Sequence, residues 1–247
     1  MPNQANPTEA TPFVMDTRAR VYLWLSGLFI TSLLLANIVG VKLFRFELEV
    51  SNDWTIPIEH TAGMLPFPIT FLLTDLLNEY YGKKAARRVT WVAFGMAAFA
   101  FVLIWAARKL PILEGIPGTA DAASFEVVFG SSSVMYIASI LAFLAGSMLD
   151  IALFGVLKRL TGQRMVWLRS TGSTVVSQVF DSLIVTWLFF HGLPMLLGQQ
   201  AAPLDFVLRT AATGYVLKFF IAVALTPGIY AGRWALRKWF GLVPALA

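Results

Sequence analysis

FPITFLLTDLLNEYYGKKAARR, residues Phe67–Arg88, is the stretch that decides the fold. It is apolar for two turns and then places Asp75, Asn78 and Glu79 in what its composition predicts to be a membrane helix. Residues three and four apart are neighbours on a helix surface, so these three polar side chains share one face. Carboxylates are costly inside a hydrophobic span, and we therefore treat them as candidates for function.

The composition indicates an all-α integral membrane protein. The 247 residues are 57% hydrophobic and 13% charged, with a mean hydropathy of +0.70; soluble domains carry about twice that share of charge. Long apolar blocks recur, each near the ~20 residues that a helix needs to cross the hydrocarbon. The chain has no Cys and only His60 and His191, which excludes thiolate chemistry and disfavours a metal site. We predict no cofactor and no metal.

Six transmembrane helices are predicted. A polar N-terminal tail (1–20) precedes the six-helix domain (21–230), and a basic C-terminal tail follows (231–247). Between the first two helices, apolar and polar residues alternate from Phe44 to Glu59 around Ser51-Asn52-Asp53, which predicts a β-hairpin. Open strand edges are not stable in lipid, so we place this hairpin outside the bilayer on the periplasmic side. The predicted spans are about 21–44, 62–81, 89–107, 133–157, 171–190 and 206–230, with a short interfacial helix at 121–129.

The basic residues predict the orientation. Of the 19 Lys and Arg residues, 13 lie on the side that holds both termini, five lie on the other side, and Lys218 lies within the sixth span. Positive residues concentrate on the cytoplasmic side, so both termini are expected there. This topology also explains the net charge of +5 without nucleic-acid binding. Six helices divide into two inverted sets of three, with Asp75 and Asp181 at corresponding places, as in many transporters.

Lys218 and Asp181 lie near the middle of the last two spans, and we predict that they pair. The pair either fixes the helix register or opens toward a polar substrate or a proton. Gln178 shares a face with Asp181, and an amide beside a carboxylate suits a ligand such as a nucleobase; the alternative is hydrogen bonding between helices. Glu79 is expected to join a local network with the basic residues that follow Gly82.

Other polar and aromatic residues complete the candidate set. Asn37 either bonds across a helix contact or contacts a ligand, and Trp187 and Tyr215 are among the aromatic residues that can stack on a planar ligand. The substrate-binding candidates are Asn37, Asp75, Asn78, Glu79, Gln178, Asp181, Trp187, Tyr215 and Lys218.

Three segments resemble the bacterial queuosine precursor transporters, a family also called vitamin uptake transporters. They are the block Ala62–Arg88, the preceding LLLANIVGVKLF, and RSTGSTVVSQVFDSLI at Arg169–Ile184. The resemblance implies import of 7-deazaguanine bases (preQ0, preQ1 or queuine) across the inner membrane for tRNA queuosine salvage. It also implies six helices akin to the substrate-binding S-components of energy-coupling factor transporters. On this view Asp181 and Gln178 hold the base, and Asp75 meets an aminomethyl cation.

Other function classes are weighed against this one. No HExxH, GxSxG or Walker motif is present, so we predict neither an enzyme nor ATP use by the chain itself, and no ATPase partner is evident. A permease for another small heterocyclic vitamin or nucleobase stays open as the alternative. A structural scaffold leaves Asp75, Asp181 and Lys218 without a reason. Small residues such as Gly95 and Gly146 permit close helix contacts within one chain or in a homodimer.

Overall fold

The structure is a computed structural model that describes residues 14–51, 54–113, 115–117, 119–130, 133–161 and 164–245. For residues 46–51, 54–60 and Ser133 the backbone alone is described. Its elements are α1 (Thr17–Val39), β1 (Leu43–Ser51), β2 (Trp54–Thr61), α2 (Phe67–Arg108), α3 (Ala122–Phe129), α4 (Ser133–Thr161), α5 (Val166–Trp187), α6 (Leu193–Leu196), α7 (Leu204–Ala224) and α8 (Thr226–Phe240). Within these residues, five helical segments are long and apolar enough to cross a membrane: 17–39, 62–108, 122–161, 166–196 and 204–240.

Gly82 interrupts α2 and explains why five segments stand where six spans are predicted. Its φ of 82° and ψ of 168° lie in a region of backbone space that is essentially restricted to glycine. Helix continues directly on both sides of this residue, so no loop separates the second predicted span from the third. The two predicted spans, 62–81 and 89–107, therefore fall within one broken helix.

Contacts with α1 show that the chain reverses direction at Gly82. The carbonyl of Tyr80, before the glycine, accepts from Arg18 Nη2 at 2.5 Å, and the carbonyl of Ala85, after it, accepts from the Tyr22 hydroxyl at 3.3 Å. Both residues of α2 therefore lie beside the beginning of α1.

The outer ends of α2 lie beside the end of α1. Just before the start of α2, Gly63 packs so closely on α1 that a Cβ added to it would lie 2.5 Å from the carbonyl oxygen of Ala36. Near the other end of α2, Phe101 and Ile104 line a small cavity together with Asn37 of α1. The two halves of α2 consequently run antiparallel.

Strands β1 and β2 pair antiparallel, with Phe44 opposite His60 and Phe46 opposite Ile58. A hydrogen bond from the Ala62 amide to the Lys42 carbonyl, at 2.7 Å, closes the base of the pair next to α2. Asn52 and Asp53 of the predicted turn lie outside the described residues. The position of the strands outside the bilayer stays a prediction.

Several helix bounds differ from the prediction for local reasons. Helix α1 begins at Thr17, since the Asp16 carboxylate caps it by accepting from the Ala19 amide at 2.7 Å, and it ends at Val39 because β1 follows. Helix α5 begins at Val166, five residues earlier than predicted. The predicted sixth span and tail are divided at Leu225 into α7 and α8, so that residues predicted as a tail are helical.

The interior has an apolar part and a polar part. Phe29, Leu33, Leu77, Phe143 and Ile151 are buried among α1, α2 and α4, and the rings of Phe29 and Phe143 lie 5.9 Å apart. Helix α5 instead buries a polar face. We call its residues Ser170, Ser173, Thr174, Ser177, Gln178 and Asp181 the polar seam; all six are buried.

Candidate functional site

A cavity of about 210 Å³ lies between α1, α2, α4, α5 and α7, beside the base of the strand pair. Its wall is mainly apolar, with a few polar side chains that converge from four helices, α1, α4, α5 and α7. That combination is typical of small-molecule sites. The lining residues are Ala36, Asn37, Gly40, Val41, Thr61, Gly63, Met64, Phe67, Met135, Tyr136, Ser139, Asp181, Val185 and Lys218.

Asp181 and Lys218 form an ion pair in the wall of this cavity, which confirms the predicted pairing. Lys218 Nζ lies 2.5 Å from Asp181 Oδ2, and the two side chains are 13% and 6% exposed. The ammonium also lies 5.4 Å from the centroid of the Phe67 ring, within the range of a cation–π contact. The pair thus presents a carboxylate and an ammonium beside an aromatic face.

Small residues let the helices approach closely around this pair. A Cβ on Gly146 of α4 would lie 3.1 Å from the Asp181 Cβ, so α4 packs directly against the carboxylate-bearing turn of α5. Asn37, which also lines the cavity, donates one amide hydrogen to the Leu33 carbonyl at 2.9 Å. Its carbonyl oxygen and second N–H can serve a ligand.

Glu79 is the centre of a separate, buried ionic cluster. Its Oε1 lies 2.5 Å from Arg169 Nη2 and 3.7 Å from Arg233 Nη2, and its Oε2 lies 3.4 Å from Lys158 Nζ. Lys158 also donates to the Glu79 backbone carbonyl at 2.9 Å. We call these four residues the Glu79 cluster. The Glu79 and Arg169 side chains are 0% exposed.

The predicted local partners of Glu79 are wrong. Its cations come from α4, α5 and α8 and not from Lys83, Arg87 and Arg88. The reversal at Gly82 is the reason, because it places those basic residues on the returning half of α2. Arg169 and Lys158, which sequence reasoning assigned to a loop, are in fact buried helical residues.

Asp75 lies one turn deeper in α2 than Glu79, and Asn78 directly precedes Glu79. The Ser170 hydroxyl donates to Asp75 Oδ2, and Asn78 Nδ2 donates to the Ile151 carbonyl at 3.2 Å. Asp150 accepts from Thr174 Oγ1 at 3.2 Å and from Ser177 Oγ at 3.3 Å. These carboxylates bridge α2 and α4 to the polar seam and do not line the cavity.

The structure therefore divides the predicted site residues into groups. Asn37, Asp181 and Lys218 line the cavity; Asp75, Asn78 and Glu79 lie elsewhere. Gln178 is 1% exposed and is not a lining residue.

The two predicted aromatic residues also lie away from the cavity lining. Trp187 is 45% exposed and lies against His191, with their ring centroids 6.1 Å apart. Tyr215 is partly buried beside Phe219.

Sequence reasoning missed Phe67, Tyr136 and Ser139 as lining residues. Phe67 stands in the motif that carries the family resemblance, which is a usable signal. Tyr136 and Ser139 carry no such signal. Within the described part of the chain, no group of three or more His, Asp and Glu residues is arranged to hold a metal ion.

Comparisons with known proteins identify the family of this chain. Residues 61–232 match the family described as "Putative vitamin uptake transporter". A "Probable queuosine precursor transporter" of Bacillus subtilis is 31% identical over 175 residues, which are 70% of this chain and 71% of the relative. The "Queuosine precursor transporter" of Escherichia coli is 25% identical over 197 residues, 77% of this chain and 83% of the relative. No solved structure matches the chain.

Proposed function

Because the chain belongs to the family of vitamin uptake transporters, and is a multi-pass membrane transporter of a small molecule rather than an enzyme, we propose that it imports a queuosine precursor. The substrate is a 7-deazaguanine base such as preQ0, preQ1 or queuine, taken across the bacterial inner membrane for tRNA queuosine salvage. The names of the relatives support this substrate class, and the cavity at Asp181 and Lys218 is the proposed binding site.

The Asp181–Lys218 pair is the single observation that supports a binding site for such a base. A 7-deazaguanine presents neighbouring N–H donors that a carboxylate accepts, and a carbonyl that an ammonium can bind. The base can therefore insert between the two residues and supply each with a new partner. Neither charge is then left buried and unpaired, which would otherwise cost several kcal/mol.

The cavity wall provides the remaining contacts. Asn37 offers an amide to the rim of the ligand, and the rings of Phe67 and Tyr136 offer apolar faces to a planar base. In this arrangement Lys218 takes the role expected for Gln178. The cavity volume of about 210 Å³ lies below the ~300–1,000 Å³ usual for pockets that bind drug-sized ligands, which favours a small substrate.

We place the cavity in the outer half of the membrane. The reversal at Gly82 makes two crossings of α2, which brings the total to six and returns both termini to the cytoplasmic side. The cavity lies beside the strand pair, at the opposite end of α1 from Arg18 and Tyr80. Helices then fall into two inverted sets of three, with Asp75 and Asp181 in corresponding positions.

The test is complementation in bacteria that lack both precursor synthesis and their own importer. The cells receive a low concentration of one precursor, and queuosine in tRNA is measured by mobility on a boronate gel. The wild-type chain is expected to restore the modification, and Asp181→Asn to abolish it. Asp205→Asn, the same change at an exposed residue of α7, is the control and is expected to have no effect.

A double variant separates binding from structural pairing. Asp181→Asn with Lys218→Gln removes both charges, so it leaves no unpaired ion and is expected to accumulate in the membrane better than either single variant. If the pair only fixes helix register, this double variant restores uptake. If the pair binds the base, uptake stays absent at normal protein level. Absence of modification with the wild-type chain present in the membrane refutes the proposed substrate and favours another heterocyclic vitamin or nucleobase.

A further inference from the structure

The polar seam of α5 connects the cavity with the Glu79 cluster. It begins beside Arg169 and ends at Asp181, twelve residues later, which corresponds to about 18 Å along a helix axis. Hydroxyl and amide groups occupy successive turns of this face. Such a face inside a membrane protein is costly unless its groups bond to neighbouring helices or serve a ligand, an ion or a proton.

Two carboxylates from other helices contact adjacent turns of the seam. Asp75 of α2 accepts from Ser170, and Asp150 of α4 accepts from Thr174 at 3.2 Å. These two α5 residues are four positions apart, or about 6 Å along the axis. Asp75 and Asp150 are therefore close neighbours, each within the electrostatic field of the other.

Each of these carboxylates has one oxygen without a hydrogen-bond partner. Asp75 Oδ1 and Asp150 Oδ2 are inaccessible to solvent and accept no hydrogen bond of normal geometry from the described residues. The same holds for Gln178 Oε1, one turn further along the seam from Thr174. The Ser173 hydroxyl, which donates to the Ser170 carbonyl at 3.1 Å, is a further polar neighbour of Asp150. Buried carboxylate oxygens are normally satisfied, so a set of three unpartnered acceptors on one path requires an explanation.

The charged groups around the pair do not neutralise it. From α4 and α5, Lys158 and Arg169 form ion pairs with Glu79, and Arg233 of α8 approaches the same carboxylate. From α7, Lys218 pairs with Asp181. Arg169 also acts on Asp75 through space. No ion pair of the described residues includes Asp75 or Asp150.

A charge count over the buried part of the described chain gives the same result. Four carboxylates are buried, at Asp75, Glu79, Asp150 and Asp181, against the buried cations Lys158 and Arg169. The partly buried Lys218 and Arg233 bring the cations to four, but all four lie in the ion pairs of Asp181 and Glu79, so Asp75 and Asp150 have no cation of their own among the described residues. An uncompensated charge in this environment is very unfavourable and tends to be removed by protonation.

We propose that Asp75 and Asp150 together form a proton-binding site, and that one proton taken up there is cotransported with the substrate. The site lies on the polar seam, between the cavity and the Glu79 cluster. A proton requires no cavity of its own. The hydroxyls of Ser170, Thr174 and Ser177 already occupy one oxygen of each carboxylate, and one oxygen of each is left for the proton.

The coupling part of this inference rests on the proposed function, whereas the proton site does not. The site is tested without substrate by treating the purified protein in nanodiscs with a hydrophobic carbodiimide, which reacts with protonated carboxyl groups in apolar surroundings. Mass spectrometry is expected to find the label at Asp75 or Asp150, more at pH 6 than at pH 8, and not at the ion-paired Glu79. Equal labelling of Glu79, or none at either aspartate, overturns the site.

Asparagine is the matched variant because it has the shape of a protonated aspartate. We expect Asp150→Asn to fold with unchanged or higher thermal stability and to lose the carbodiimide label at that position. Asp205→Asn, at the exposed residue of α7, is the control that keeps the label. A large loss of stability in Asp150→Asn indicates that the carboxylate is needed in its charged form, and this result also overturns the site.

Coupling is then tested in proteoliposomes loaded with buffer and given a 7-deazaguanine base outside. With one proton per substrate, an inward pH gradient raises the limiting accumulation by up to about tenfold for each pH unit. Asp150→Asn is expected to exchange the base across the membrane but to lose this accumulation. Accumulation that follows a Na⁺ gradient, or neither gradient, overturns the coupling. If the wild type moves no base under any gradient, the proposed function fails, while the labelling result stands independently.

Discussion

Glu79→Gln is expected to destabilise the protein far more strongly than the same change at an exposed ion pair. Glu79 is the only carboxylate of the described residues within 4 Å of Arg169, Lys158 and Arg233. An uncharged amide leaves Arg169 and Lys158 buried without a counter-charge. Removing one partner of a buried ion pair costs about 3–5 kcal/mol.

An exposed ion pair of the same kind provides a matched control for the buried Glu79 cluster. Glu126 also pairs with an arginine, Arg108, but its side chain is 53% exposed. Exposed ion pairs often contribute nothing measurable, because water and salt screen them. Glu126→Gln therefore makes the same chemical change without the burial.

The assay is the thermal unfolding midpoint of both variants in one detergent. A loss of 3–5 kcal/mol corresponds to a fall in midpoint of roughly 6–20 °C for a chain of this size, and the control is expected to stay within error. Equal midpoints for the two glutamine variants refute the reasoning. They mean that water reaches the Glu79 cluster or that its cations find other partners.

Three further changes test other features. Gly82→Ala places a Cβ in glycine-only backbone space and is expected to lower the stability by about 1–3 kcal/mol in the same thermal assay. The control Gly95→Ala, in regular helix with open space around it, is expected to be neutral or stabilising, and equal effects of the two changes contradict the reversal at Gly82. Gly146→Val is expected to push Asp181 out of position and to lower precursor uptake severalfold at normal protein level. The control Gly95→Val is expected to keep uptake, and full uptake by both variants shows that the close helix contact is unimportant. Trp187→Phe is expected to leave uptake unchanged because the ring lies outside the cavity lining, and a clear loss assigns it a role in the substrate path.

Hydrophobic blocks made the membrane helices predictable, and helical spacing made the polar faces predictable. The Asp181–Lys218 pair followed from its cost, since a lone ammonium at mid-span requires a partner. The broken helix at Gly82 could not be located in this way. A glycine before a basic cluster predicts a loop as readily as a one-residue reversal, and only contacts with α1 distinguish them.

The Glu79 cluster was missed because sequence distance and basic charge suggested the wrong partners. Arg169 lies at the predicted loop edge, where a cation is usually solvated and cytoplasmic. Its burial depends on α5 beginning five residues early, which a hydropathy profile does not resolve. One signal was present: Arg169 stands one position before Ser170 and lies on the face that continues to Ser173 and Ser177.

The polar seam of α5 has a consequence for the order of biosynthesis. A helix with a continuous hydroxyl and carboxamide face is a poor candidate to remain alone in lipid, since that face has no partners there. Helices α2 and α4 leave the ribosome first and carry Asp75 and Asp150, the acceptors that the seam requires. We therefore expect α5 to enter the membrane against a preformed surface, and chains that lack α2 to expose α5 to membrane quality control.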